Sequence, residues 1–186
     1  MNKITFDILD KDFSEWCSPD FDKRKRNYQE SILLDVRNWN HYYSKVSSYN
    51  LNWSEFKYDS IVNTSKLDAI IDKDYTGIYM FIIKPNDPIY DCPKNVFYIG
   101  ISGENNRNRP VRDRIKDYFQ HSKLKKRDAV MRLLGKYFRN VYVAYTYCVE
   151  PTIILKEIES SLIGFFYPIC NKDDFPVELK VEQKAF

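Results

Sequence analysis

The run Gly77-Ile78-Tyr79-Met80-Phe81-Ile82-Ile83-Lys84 is dense in branched and aromatic residues and reads as a β-strand. A second run of the same kind, Val96-Phe97-Tyr98-Ile99-Gly100-Ile101, follows it. Between them Pro85, Asn86, Asp87, Pro88 and Pro93 supply turn chemistry, so the pair reads as a β-hairpin with a long loop. Downstream, Pro110 suits the first turn of a helix whose apolar face is Val111, Ile115, Tyr118 and Phe119. Residues 129–138 read as a second helix. Residues 141–148, rich in Val, Tyr and Thr, read as a third strand. Pro151 opens a third helix that runs to Phe166 and is bounded by Pro168. The order β-β-α-α-β-α predicts an α/β fold in which a small central sheet of about three strands is flanked by helices, over residues 74–176.

Residues 1–73 read as a mainly helical extension. Between Tyr28 and Val46 the apolar positions Ile32, Leu33, Val36, Trp39, Tyr43 and Val46 recur at helical spacing. Trp53, Phe56 and Tyr58 follow in a mixed stretch. Ser65 precedes Leu67, Ile70 and Ile71 as if near the start of a short helix. No chemical motif lies in this region, and Lys23-Arg24-Lys25-Arg26 is its one compact basic run. Residues 177–186 form a charged C-terminal tail.

The chain has 186 residues, 44% of them apolar and 16% aromatic, enough to build a real core. Cys17, Cys92, Cys148 and Cys170 are scattered, with no Cys-x-x-Cys pair, and there are only two His, so a zinc site is not expected. The N-terminal stretch lacks a continuous apolar segment, and no run approaches membrane-span length. A cytoplasmic protein with reduced thiols and no membrane partner is the expectation. Gly135-Lys136 lacks the rest of a phosphate-binding P-loop.

Charge is unevenly spread. The net charge is +3, but residues 100–140 hold twelve Lys or Arg against four Asp or Glu. A basic segment of this kind fits either nucleic-acid phosphates or an ordinary solvated helical face. Five residues in this half of the chain are of types that suit phosphodiester hydrolysis, which needs an activated water and neutralised phosphate oxygens. Glu159 is a hard oxygen ligand for Mg²⁺, an ion that keeps several waters and takes one or two protein carboxylates. Arg114 can grip a phosphate with its planar fork. Tyr98, near a metal and an Arg, could become a usable base, and Tyr79 could face the same pocket from the neighbouring strand. Asn171 follows Pro168 and could equally be a turn residue. Taken singly, each has a bland alternative: a strand Tyr more often packs than reacts, and a Glu on an amphipathic helix is usually at the surface.

Read together, these segments resemble the GIY-YIG nuclease family across residues 74–172. Gly77-Ile78-Tyr79 and Tyr98-Ile99-Gly100 match its naming motifs. Arg114-Ile115-Lys116-Asp117-Tyr118-Phe119 is similar to its Arg, apolar, two variable, aromatic pattern. The stretch from Glu159 through Leu162-Ile163 and Pro168 to Asn171 is similar to its Glu helix. The resemblance implies that Tyr98 is the general base or a hydrogen-bond partner of the attacking water, supported by Tyr79. It implies that Arg114 stabilises the transferring phosphate, that Glu159 holds one Mg²⁺ or Mn²⁺, and that Asn171 ties the helix end to the active face. Tyr118 falls where members carry a Tyr or His lining the site. Gly100 would let the substrate backbone approach, and Arg112 would touch phosphate from outside. Ile101 stands where a polar or basic residue such as Lys is frequent; Ser102 or an inserted-loop Lys or Arg would be its substitute. The stretches between Tyr79 and Tyr98 and between Gly100 and Arg114, the latter carrying residues 104–109, are longer than is common.

The expected function is therefore a divalent-metal-dependent endonuclease acting on DNA, double-stranded for preference, as a stand-alone restriction, defence or phage-type enzyme. A homodimer would be needed for coordinated double-strand cutting. The alternatives are a catalytically weak nucleic-acid-binding module on the same scaffold and a homing or repair nuclease.

Overall fold

A computed structural model of the protein describes residues 36–84, 95–103, 109–148, 151–171, 174–177 and 179–180. In chain order the elements are α1 (Val36–Ser48), β1 (Ser54–Lys57), α2 (Ser65–Ile70), β2 (Gly77–Ile83), β3 (Asn95–Ile101), α3 (Val111–Lys116), α4 (His121–Leu124), α5 (Asp128–Lys136), β4 (Val141–Tyr147) and α6 (Thr152–Phe166). Short 3₁₀ turns follow β1 at Tyr58–Ser60, α3 at Asp117–Phe119, α5 at Phe138–Asn140 and α6 at Ile169–Asn171.

The strands form one four-stranded antiparallel sheet in the order β1-β4-β2-β3. β2 lies inside the sheet with both faces covered, which is why its sequence is a continuous apolar run rather than an alternation. On one face Ile78, Met80, Ile82, Ile99, Ile101 and Ala144 pack against Tyr42 of α1 and Leu155, Ile158, Leu162 and Ile163 of α6. On the other, Tyr79, Phe81, Phe97, Val143 and Tyr145 pack against Tyr58 and residues of α2 to α5. The result is a three-layer sandwich with helices on both sides.

The sheet has four strands, not the three expected. The additional strand β1 comes from the N-terminal region and pairs Ser54 with Tyr145 and Lys57 with Tyr142. Four residues with an exposed-to-half-buried pattern carry too little alternation to be read as a strand; pairing with β4 makes it one. Tyr58, directly after it, is fully buried, donates a hydrogen bond to the Tyr118 carbonyl at 2.7 Å and stacks on Phe119. Residues 54–71 thus share a sheet and a core with residues 77–147. Within residues 77–166 the order matches the reading, with the one-turn helix α4 added. Helix α1 covers the second half of the helical pattern read over residues 28–46. Residues 1–35 with the basic run 23–26, the hairpin loop 85–94, residues 104–108 and most of the tail 177–186 lie outside the described residues.

Two local features set up the site. The register of β2 against β3 shifts between Phe81 and Ile82: Phe81 pairs with Tyr98 and Ile82 with Val96, so Phe97 has no partner. One extra residue in β3 lets Phe97 and Tyr98 both contribute to the Tyr79 face. The outer edge of β3 is closed by Asn171, which is buried. Its side-chain oxygen accepts from the Ile99 N–H and its amide nitrogen donates to the Ile99 carbonyl, both at 2.8 Å. An edge strand's unpaired groups are thereby satisfied by the segment following α6.

Candidate active site

Tyr79 and Tyr98 belong to adjacent strands, and Tyr118 to the turn after α3. They meet on one face of the sheet. The Tyr79 and Tyr118 hydroxyls are 3.0 Å apart, and Tyr98 hydrogen-bonds to Tyr118. Ring centroids lie 5.7 to 6.2 Å from one another, so the three rings form a closed set. Tyr79 and Tyr118 are fully buried; Tyr98 alone of the three retains contact with solvent.

Burial pushes the Tyr98 phenol well above its ordinary range, and neighbouring Tyr79 raises it further. The hydrogen bond with Tyr118 and the positive charge of Arg127 pull it back, while the Glu159 carboxylate opposes ionisation. Glu159, on α6, is therefore electrically coupled to Tyr98 although most of that helix faces the other core. Burial likewise raises Tyr118, again with Arg127 acting in the opposite direction. Tyr98 and Tyr118 are thereby held neutral at physiological pH.

Arg114 is half-buried at the end of α3, and its Nε donates to the Ile101 carbonyl at 3.4 Å. That places a guanidinium at the C-terminal end of β3, beyond Tyr98 and Gly100. Ile101 itself is buried in the core on the opposite face, so its side chain has no access to the tyrosine face.

Three other residues are used differently from the reading. A Cβ at Gly100 would lie 2.6 Å from the Tyr79 hydroxyl and 2.7 Å from Cζ, so the room made by this glycine is filled by Tyr79 rather than left for substrate. Ser102 is fully buried; its hydroxyl accepts from the Gly77 N–H at 2.7 Å and donates to the Gly77 carbonyl at 3.2 Å. It locks the start of β2 to the end of β3 and has no access to phosphate. Arg112 pairs with Asp68 at 3.2 Å and with Asp113 at 3.4 Å, so two carboxylates already offset its charge.

Two residues emerge that were not singled out in the sequence. Arg127 lays its guanidinium over the Tyr118 ring, 4.2 Å from the centroid. Asp117, the variable position beside Tyr118, is buried and binds Arg109 at 2.7 Å and Lys123 at 2.6 Å, with Arg127 at 3.9 Å. Only the local basic excess hinted at them, because a charged side chain nine residues from its aromatic partner carries no periodic signal.

Burial works to raise the Asp117 carboxyl, but hydrogen bonds from Arg109 and Lys123 overcome it and hold it below the ordinary value of 3.8. A carboxylate with a depressed folded-state pKa contributes stability that is complete above the unfolded value and is lost as pH falls through the folded one. Asp117→Asn is therefore expected to cost about 2 kcal/mol near neutrality. It should also flatten the fall of Tm on acidification below pH 3.8. Thermal melts of both proteins between neutral pH and the acid limit check this; parallel curves would refute it.

Among the described residues no three His, Cys, Asp or Glu side chains converge as a metal cage. The donor chemistry suits an ion held by one carboxylate and otherwise by water. Cys148 is buried and Cys170 half-buried, both as free thiols; Cys17 and Cys92 lie outside the described residues. No described helix is long and apolar enough to cross a membrane. No protein-family model, curated protein or solved structure matches the chain.

Proposed function

We propose that the protein is a divalent-metal-dependent endonuclease that hydrolyses DNA phosphodiester bonds, of the GIY-YIG type that its motifs resemble. The observation that carries this reading is the convergence of Tyr79, Tyr98 and Tyr118, of which Tyr98 alone is not fully buried, with the Glu159 carboxylate near enough to oppose its ionisation. A half-buried tyrosine whose phenol is strongly shifted by burial and by named charged neighbours suits a water-handling group better than a packing group.

In this mechanism the Tyr98 oxygen accepts a hydrogen bond from the attacking water and orients it towards phosphorus. The water oxygen forms the new P–O bond as the bond to the leaving sugar oxygen breaks. Arg114 neutralises a non-bridging oxygen. Glu159 would hold Mg²⁺ or Mn²⁺, which supplies positive charge to the phosphate and cancels the carboxylate's opposition to Tyr98 ionisation. Asn171 fixes β3, and with it the direction of Tyr98, through the Ile99 backbone. A stand-alone role in restriction, defence or phage biology fits a chain in which β1 from the N-terminal region belongs to the same sheet.

The test is incubation with plasmid, single-stranded DNA and RNA, with Mg²⁺, with Mn²⁺ and with chelator, beside Glu159→Ala. Metal-dependent cleavage that falls at least about 100-fold in the variant is expected. Cleavage of no substrate, with salt-sensitive binding retained, would instead favour a binding module on the same scaffold.

A further inference from the structure

We propose that Arg109, Lys123 and Arg127, gathered on the buried carboxylate of Asp117, form a second docking point for a DNA backbone phosphate beside the tyrosine cluster. The inference deepens the nuclease reading and rests on it for the identity of the ligand.

Three cations share one carboxylate here, so the cluster retains a surplus of two positive charges. Asp117 is 3% exposed, but the Arg109 and Lys123 side chains are 35% and 47% exposed, so the anion is buried and its cations reach solvent. Each also has spare donors. Arg109 uses Nη2 on Asp117 and on the Asp113 carbonyl at 2.9 Å, and a guanidinium carries five N–H groups. Lys123 bonds Asp117 through an ammonium with three.

The cluster adjoins the proposed reaction centre. Asp117 precedes Tyr118 in the chain, and Arg127 spans the two, with Nη2 3.9 Å from Asp117 and its guanidinium stacked on the Tyr118 ring. Among the described residues, Arg127 Nη1 is buried without a hydrogen-bond partner. An unpaired buried donor of this kind costs stability, and a structural ion pair alone would leave no reason for it. By anchoring long, flexible side chains before the ligand arrives, Asp117 lowers the ordering cost that surface Lys and Arg otherwise pay on binding phosphate.

The experiment is fluorescence anisotropy of a labelled DNA duplex of about twenty base pairs, in chelator, titrated from about 50 to 200 mM salt. Each phosphate contact contributes about 0.9 to the slope of log K against log salt, so Arg109→Ala/Lys123→Ala is expected to flatten it by about 1.8. At about 0.1 M salt each lost contact should weaken binding roughly eight-fold, the same slope carried over one decade. Lys45→Ala, on the helical layer of the opposite face, should keep the wild-type slope. A double variant that melts like wild type and keeps the wild-type slope would overturn the proposal, as would a wild type that does not bind. Cleavage assays on the same preparations separate the two readings. A flattened slope in a protein that never cleaves retains the docking point and removes the nuclease, and Glu159-dependent cleavage with an unchanged slope does the reverse.

Discussion

Tyr98→Phe is expected to fold like wild type and to cleave DNA about 10²–10⁴-fold more slowly, the range for loss of a positioned proton-handling group. The ring, which packs at 5.8 to 6.2 Å from Tyr118, Tyr79 and Phe81, is kept. Only the hydroxyl is removed, from the one tyrosine of the trio that is not fully buried. Tyr118→Phe should do less to the rate and more to stability, because its hydroxyl is fully buried between the other two. Single-turnover rates and thermal melts of both variants discriminate. If Tyr98→Phe cleaves within a few-fold of wild type, Tyr98 is a packing residue and the site lies elsewhere.

Gly77→Ala is expected to have the largest effect on folding. A Cβ at this position would lie 2.0 Å from the Thr146 carbonyl oxygen and 3.2 Å from the Tyr147 Cα, all backbone atoms of β4. Nothing there can rotate aside, so β2 and β4 must part where the start of β2 pairs with the end of β4. Gly77 is held from the other side as well, by the Ser102 hydroxyl and by a Ser102 N–H to Gly77 carbonyl bond at 2.9 Å. Alanine restricts the unfolded chain and would by that route stabilise by about 0.4–1 kcal/mol. Overpacking against backbone outweighs this, at about 3 kcal/mol or more. Since whole domains are stable by roughly 5–15 kcal/mol, the denaturation midpoint should fall steeply with an unchanged m-value. An unaltered midpoint would mean that β2 and β4 are not as closely paired at Thr146 as described here.

The two predictions separate two kinds of residue within the motifs. In Gly77-Ile78-Tyr79 and Tyr98-Ile99-Gly100, both isoleucines face the α6 core, and both glycines answer to steric contact, with β4 and with the Tyr79 ring. Only the tyrosines turn to the other face. Six residues that look like one signal in the sequence thus divide into four that build the sheet and two that join the tyrosine cluster.

Element order over residues 77–166 was legible in the chain because its causes are local: apolar runs, helical spacing, and prolines at 110, 151 and 168 that start or stop helices. The uses of Ser102, Gly100 and Arg112 were not legible. Each had a plausible phosphate role from residue type, but accessibility and prior partners decide that role, and both are properties of packing. Strand β1 escaped for the same reason, since its strand character comes from β4. Asp117 and Arg127 were invisible as a pair because the turn between α3 and α5 folds them against Tyr118. Sequence alone determined which segments are strands and helices, since that follows from the short-range conformational preferences of neighbouring residues. Which side chains cluster, which glycine is filled and which cations share a carboxylate were decided only by the tertiary structure, because burial and charge pairing arise when distant segments compete for the same space.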